Sequence, residues 1–478
     1  MMTLPDKTPM PPADAPPDER FDRQMRIPGW DQEALAQARV GVVGDDPWLT
    51  GIFITAAAAL GINRLTAVAP ELDERLLAAA QGLNPELDLA VFPGHFSHFL
   101  LEELLAGCTV LVDLGRHALA AKLLLTYANQ EHLPLVRGYT FEGDGAAGLK
   151  LFTYHKGREW RDLLQVLPQA QLPFLGQSDP VLALVTAGLV LEETKKLLLG
   201  EPVTPEVISY VRGLPDRTSP PYPGPLPPAG GEGEEATRGF SPSPDSENDP
   251  GTLASFHASN YTENRKPKTE NPLAIVGAGA LGNFVGLGLA ALGFGPLTFI
   301  DPDPVEVTNL NRQVLFWDAV GQAKAEALAT RLAKWFDIAA RAEPTYVTRA
   351  TDLSRFAAIF DCTDNHESRI ILSEKCRANG QILISGGTGV EAGQVVIFNP
   401  ATGGPTPAEL LGLYDLVGRR EIDVAERQRA SCVYAPEPAV IMTNQIIGGL
   451  MVDAFRRLLG GDTPPNLFYD ARGARMLS

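Results

Sequence analysis

Short apolar runs that end in turn residues, each followed by a longer apolar stretch, recur along the chain in two matching series. The first opens with ARVGVVGDDPWLTGIFITAAAALGINRLTAVAPEL and the second with NPLAIVGAGALGNFVGLGLAALGFGPLTFIDPDPVEV. In both, an apolar strand enters a turn, an Ala-, Leu- and Gly-rich helix follows, and a second strand begins at "LT". Further on, VLVDLGRHALAAKLLLTYANQEHLPLVRG parallels AAIFDCTDNHESRIILSEKCRANGQILISG. Later still, PVLALVTAGLVLEETKKLLLG parallels PAVIMTNQIIGGLMVDAFRRLLG. Strands alternating with helices predict doubly wound α/β domains with mainly parallel sheets. Two such Rossmann-like domains in tandem predict a pseudo-twofold arrangement, the geometry that homodimers adopt.

Composition marks the boundaries. Residues 1–19 are acidic and proline-rich, the opposite of a signal peptide, and are expected to form a disordered tail. Residues 214–270 are rich in Pro, Gly, Ser and Glu and cannot bury enough apolar surface to offset their ordering entropy. They read as a flexible linker between domains at 20–213 and 271–478, long enough to let the two pack in many orientations. A length of 478 residues, 45% hydrophobic and 21% charged, fits two ordinary globular domains. The longest apolar stretches, such as 284–300, are broken by Gly and Pro, so no membrane span is expected and a cytoplasmic protein is. A formal net charge of −18 argues against nucleic-acid binding and requires a few local Arg and Lys residues to hold any polyanion. The four cysteines, Cys108, Cys362, Cys376 and Cys432, stand apart with no CxxC, which points away from a disulfide framework and from a zinc site.

The second series carries the candidate chemistry. A strand at 273–276 runs into Gly277, Gly279 and Gly282, spaced for a tight turn, close backbone approach to phosphate and close helix–strand packing. Asp301 ends the next strand, where a carboxylate can accept from a ribose hydroxyl. Taken alone, this pattern is open between ATP, NAD, FAD and a packing turn without ligand. DPDPVEVTNLNRQVLFWDAVGQAKAEAL then places Asn309, Arg312, Gln313 and Lys324 just beyond that strand. A triphosphate needs such cations, because charge grows on pyrophosphate as it leaves. DCTDN puts Asp361 and Asp364 at the carboxyl edge of the sheet, where one of the two could hold Mg²⁺ together with phosphate oxygens.

In this order, GxGxxG, DxDxVExxNLNRQ, VGxxKA and DCTDNxxSR resemble the ubiquitin-activating superfamily, including its ThiF/MoeB-like adenylyltransferases. The resemblance covers the chain from about Asn271 onward. It implies ATP- and Mg²⁺-dependent adenylation of the C-terminal glycine carboxylate of a ubiquitin-like protein. It also implies that Asp301 binds ribose, that Asn309, Arg312 and Lys324 contact the phosphates, and that Asp364 is the magnesium ligand. Arg369, which closes the last motif, could touch substrate or form a helix-surface salt bridge.

The first series resembles the same family with the chemistry removed. GDDPWL replaces GAGALG, Asp46 stands for the close-approach glycine, Ala69 for Asp301 and Arg116 for Asp364, and NLNRQ has no counterpart. This half is expected not to bind ATP. It retains RFDRQMRIPGWDQEALAQARV, similar to the family's opening segment, from which an arginine crosses to the partner's nucleotide in homodimeric relatives. Arg23, and failing it Arg20, would then reach from the inactive half to the active one; the alternative is a helix with solvated charges.

A second chemical step needs a nucleophile. Cys432 precedes the last long helix, in a polar crossover loop at about 401–435, and matches the thioester-forming cysteine of ubiquitin-activating relatives. Arg427 and Arg429 would favour its thiolate, while Ser431 is an alternative acceptor that lacks an identifiable base. A thioester on Cys432 would pass to a conjugating enzyme. Rival readings are activation of a sulfur carrier without an enzyme thioester, modification of a peptide natural product, and a non-catalytic scaffold.

Overall fold

The computed structural model describes residues 19–94, 103–143, 146–155, 178–213, 272–417, 437–473 and 475–477. They form two sheets that follow the two sequence series. The first has strands β1 (Arg39–Val43), β2 (Arg64–Ala69), β3 (Asp88–Pro93), β4 (Val110–Asp113), β5 (Leu135–Gly143), β6 (Ala146–Tyr154) and β7 (Ile208–Gly213) in the order 3-2-1-4-5-6-7. The second has β8 (Leu273–Val276), β9 (Leu297–Ile300), β10 (Ala340–Glu343), β11 (Ala358–Asp361), β12 (Ile382–Thr388), β13 (Ala392–Phe398), β14 (Leu467–Asp470) and β15 (Arg475–Leu477) in the order 10-9-8-11-12-13-14-15.

Each sheet is parallel from its first edge through β5 or β12 and antiparallel beyond. The parallel strands β4, β8, β9 and β11 are buried at every position, because helices cover both faces, which is why their sequences are unbroken apolar runs. The order in which strands are added to the sheet reverses between the parallel neighbours β8 and β11, so the loops after these strands open into one crevice at their carboxyl ends.

The halves pack against each other. One hydrophobic cluster runs through both, and at its centre the helix Pro180–Leu199 packs against its counterpart Ile441–Leu459. Small residues let these helices approach: a Cβ on Gly188 would lie 2.8 Å from Ile446, and one on Gly449 2.6 Å from Val185. The crossing of equivalent helices is the expected pseudo-twofold contact. Polar groups fasten it as well. Asp179 caps the first helix and pairs with Arg212 at 2.7 Å and with Arg456, while Asp453 accepts from Arg212, from Arg456 and from Tyr210 Oη. Among the described residues no helix is long and apolar enough to cross a membrane.

Candidate functional site

Backbone geometry assigns each glycine of the β8 turn a separate task. Gly277 has φ +93°, and a Cβ there would lie 2.5 Å from Cys362 O. A Cβ on Gly282 would lie 2.0 Å from Gly277 O, so the helix Ala280–Ala291 can sit this close to its strand only without one. Gly279 is the N-cap of that helix, which has no side-chain cap, and a Cβ there would meet only Gln313 Nε2 at 3.8 Å. Among the described residues, only Gln313 therefore comes near a Cβ position at this positive end of the helix dipole.

Asp301 follows β9 and is buried, its carboxylate accepting from Ala278 N–H at 2.7 Å and from Asp303 N–H at 2.9 Å. Burial pushes its carboxyl above the usual range, against the pull of Lys324. Lys324 begins the helix Lys324–Phe336 and pairs with Asp303 at 3.1 Å. Asn309 Oδ1 closes a capping box by accepting from Glu306 N–H at 3.0 Å, so at least that oxygen serves the local turn. Arg312 is buried and donates to Thr308 O at 2.7 Å and Asn311 Oδ1 at 2.8 Å. Gln313, beside Gly279, is buried, and its Oε1 has no hydrogen-bond partner among the described residues.

The two aspartates of DCTDN separate cleanly. Asp361 is fully buried and accepts from Thr363 N–H at 3.1 Å, Thr363 Oγ1 at 2.7 Å and Ser385 Oγ at 2.6 Å. It builds the loop. Asp364 is exposed on that loop. Arg369 donates to Thr363 O at 2.8 Å and Gly386 O at 2.7 Å, tying the loop to β12.

The first half repeats this frame. Gly44 N–H bonds Val68 O as Gly277 N–H bonds Ile300 O, and Leu114 N–H bonds Val43 O as Cys362 N–H bonds Val276 O. Ala69 therefore occupies the place of Asp301, Asp46 that of Gly279 and Arg116 that of Asp364. Asp46 caps the helix Pro47–Leu60, accepting from Trp48 N–H at 2.9 Å and Leu49 N–H at 3.0 Å, and also takes Ser178 N–H at 2.6 Å. A carboxylate thus sits at the helix terminus where the second half has Gly279.

The opening segment crosses between halves. Arg23 is buried, with Nη1 3.4 Å from Glu437 O, and its own carbonyl accepts from Ala439 N–H at 3.3 Å, just before the helix Ile441–Leu459. Arg20 instead donates to Leu83 O at 2.7 Å within the first half. The neighbouring Gln24, passed over in the sequence, reaches Asn311 at 3.0 Å. Cys432, Ser431, Arg427 and Arg429 lie outside the described residues. Cys108, Cys362 and Cys376 have their thiols pushed up by burial, Cys108 to about 11.

The family model for the ThiF family matches residues 264–475, which span this crevice. These residues are a ThiF family domain. Its curated relatives include the adenylyltransferase and sulfurtransferase MOCS3 of Arabidopsis thaliana, 33% identical over 28% of this chain and 30% of that protein. The adenylyltransferase and sulfurtransferase uba4 of Aspergillus terreus is 36% identical over 27% of this chain and 30% of that protein. MOCS3 of Sus scrofa is 38% identical over 27% and 30%. The chain thus spans under a third of the length of each of these relatives. A crystal structure of PaaA covers 44% of this chain at 21% identity and a TM-score of 0.34.

Proposed function

We propose that the ThiF domain uses ATP to adenylate the C-terminal carboxylate of a ubiquitin-like protein. The observation that carries this reading is the contrast between equivalent helix N-termini, Gly279 without a side-chain cap and Asp46 with one. The residues around Gly279 fit a nucleotide: Gln313 Oε1 is a buried acceptor without a partner among the described residues, and Asp301 supplies a carboxylate at the ribose position. The adenylyltransferase names of the relatives support the same chemistry.

In this reaction a carboxylate oxygen attacks the α-phosphorus, the α–β anhydride bond breaks, and pyrophosphate leaves with the electron pair. The product is an acyl-adenylate. Arg312 and Lys324 stabilise the leaving charge, the backbone at Gly279 approaches the phosphates, and Asp301 orients the ribose. Mg²⁺, when bound, supplies further charge neutralisation at the phosphates, and Asp364 would hold it. The first half, closed by Asp46, contributes structure and Arg23 rather than a second nucleotide site.

Arg23 enters from the other half, so its loss separates binding from turnover. Arg23→Ala is expected to lower ATP–pyrophosphate exchange on the order of 10²- to 10³-fold. Arg20→Ala, which removes a contact inside the first half, should stay within about twofold. Equal exchange by Arg23→Ala and wild type would remove the crossing arginine.

For the second step, Cys432 thiolate would attack the acyl carbon and expel AMP, giving a thioester for transfer to a conjugating enzyme. The raised thiols of the three described cysteines favour assigning this step to the fourth. A sulfur-carrier substrate without an enzyme thioester is the second reading, favoured by the word sulfurtransferase in the relatives' names. Incubation with ATP, Mg²⁺ and ubiquitin-like proteins, read on non-reducing gels, separates the two. A reductant-sensitive adduct lost in Cys432→Ala supports the thioester; exchange without that adduct supports the second reading, and no exchange at all leaves the scaffold.

A further inference from the structure

We infer that Gln24 of the first half is a positioning residue for Arg312, acting through Asn311 along a buried relay of side-chain amides. The inference rests on the adenylation reading. Gln24 and Asn311 are fully buried and Arg312 nearly so. Gln24 Nε2 donates to Leu60 O at 2.9 Å and to Gln32 Oε1 at 2.5 Å, both in the first half. Because a backbone carbonyl can only accept, the Gln24 amide must turn its nitrogen to Leu60 and its oxygen to the second half. That oxygen accepts from Asn311 Nδ2 at 3.0 Å. Asn311 is oriented in turn, and its Oδ1 accepts from Arg312 Nη1 at 2.8 Å. One geometrically unique assignment therefore runs from a first-half helix end to the guanidinium that faces the leaving phosphates.

The relay has a physical consequence beyond packing. Removing the Gln24 oxygen leaves Asn311 free to turn, and a turned amide presents N–H groups to Arg312, which can only repel them. Arg312 Nη1 then loses the Asn311 acceptor and, of these two, is left with Thr308 O. A displacement of a transition-state cation by about 1 Å costs up to ~10²-fold in turnover. The inactive half is thereby given a second task beside that of Arg23.

A double-mutant cycle on the full chain tests the relay, read as kcat for ATP–pyrophosphate exchange at saturating ATP. Gln24→Met, which keeps the shape, is expected to lower kcat on the order of 10-fold. In an Arg312→Met background the same change should have no further effect, because a residue acting through Arg312 has nothing left to act on. Asn311→Leu cuts the relay from its other end and gives the same result, which serves if Gln24→Met does not fold. Gln445→Met removes a different buried amide bond between the halves, to Leu184 O at 2.9 Å, and should leave kcat within about twofold. Additive losses in the Arg312→Met background, or an equal loss in Gln445→Met, overturn the relay while leaving adenylation in place. A wild-type protein that catalyses no exchange overturns the adenylation reading itself and the relay with it.

Discussion

Gly279→Asp is expected to fold normally and to lose ATP affinity on the order of 10³-fold, with stability unchanged or slightly higher. The substitution copies Asp46 into the equivalent place. A Cβ at Gly279 meets only Gln313 Nε2 at 3.8 Å, and the residue is an N-cap with negative φ, −72°, on the side of the map that L residues occupy. The new carboxylate would accept from the first N–H groups of the helix, as Asp46 does from Trp48 and Leu49, a gain of a few tenths of a kcal/mol over glycine. The same carboxylate would stand about 4 Å from a bound phosphate charge, a repulsion on the order of 4 kcal/mol at an effective dielectric of about 20. That energy corresponds to roughly 10³-fold in affinity. Calorimetric titration of ATP and a thermal melt read both effects in one preparation. Gly282→Ala is the contrast, because its Cβ would lie 2.0 Å from a backbone oxygen and the loss there is of folding. Wild-type ATP affinity in Gly279→Asp would sink the assignment of this helix end to the phosphates.

How much of this was legible beforehand depends on whether a residue's role is local. The glycine turn, the strand before it and the acid after the next strand lie within one strand–helix–strand unit, and sequence spacing places them correctly. The correspondence between the halves was legible for the same reason, since Asp46, Ala69 and Arg116 fall on frame positions that the hydrogen-bond pattern reproduces. Roles that depend on register were not legible. Asp361 and Asp364 look interchangeable in DCTDN until β11 is paired with β12, which sets Asp361 opposite Ser385 and turns it inward. Arg20 and Arg23 are both cationic and both near the N-terminus; only the packing of their short helical turns sends one to Leu83 and the other toward Glu437. Asn311, sandwiched between a capping asparagine and the site arginine, was hidden because its partner Gln24 lies far off in sequence. The Asp179–Arg212–Asp453–Arg456 cluster is likewise a product of the contact between halves, which neither half's pattern encodes.

The separation of the two aspartates makes the second large prediction a paired one. Asp364→Ala should lower ATP–pyrophosphate exchange on the order of 10²- to 10³-fold, with a melting temperature close to wild type. The residue is exposed, and surface changes of this kind stay within about 0.5 kcal/mol. Asp361→Ala should do the reverse in order of cause. It strips the acceptor from Thr363 N–H, Thr363 Oγ1 and Ser385 Oγ in a fully buried setting, a loss on the order of 3 kcal/mol in stability. Activity would fall in Asp361→Ala because the loop that carries Asp364 is no longer held, and cooling or a stabilising co-solvent should restore part of it. Raising Mg²⁺ discriminates further: a missing metal ligand shifts the Mg²⁺ concentration for half-maximal exchange upward in Asp364→Ala. Exchange in Asp364→Ala equal to wild type at every Mg²⁺ concentration would take the metal away from this loop. It would leave the nucleotide reading to rest on Gly279, Asp301 and Arg312 alone.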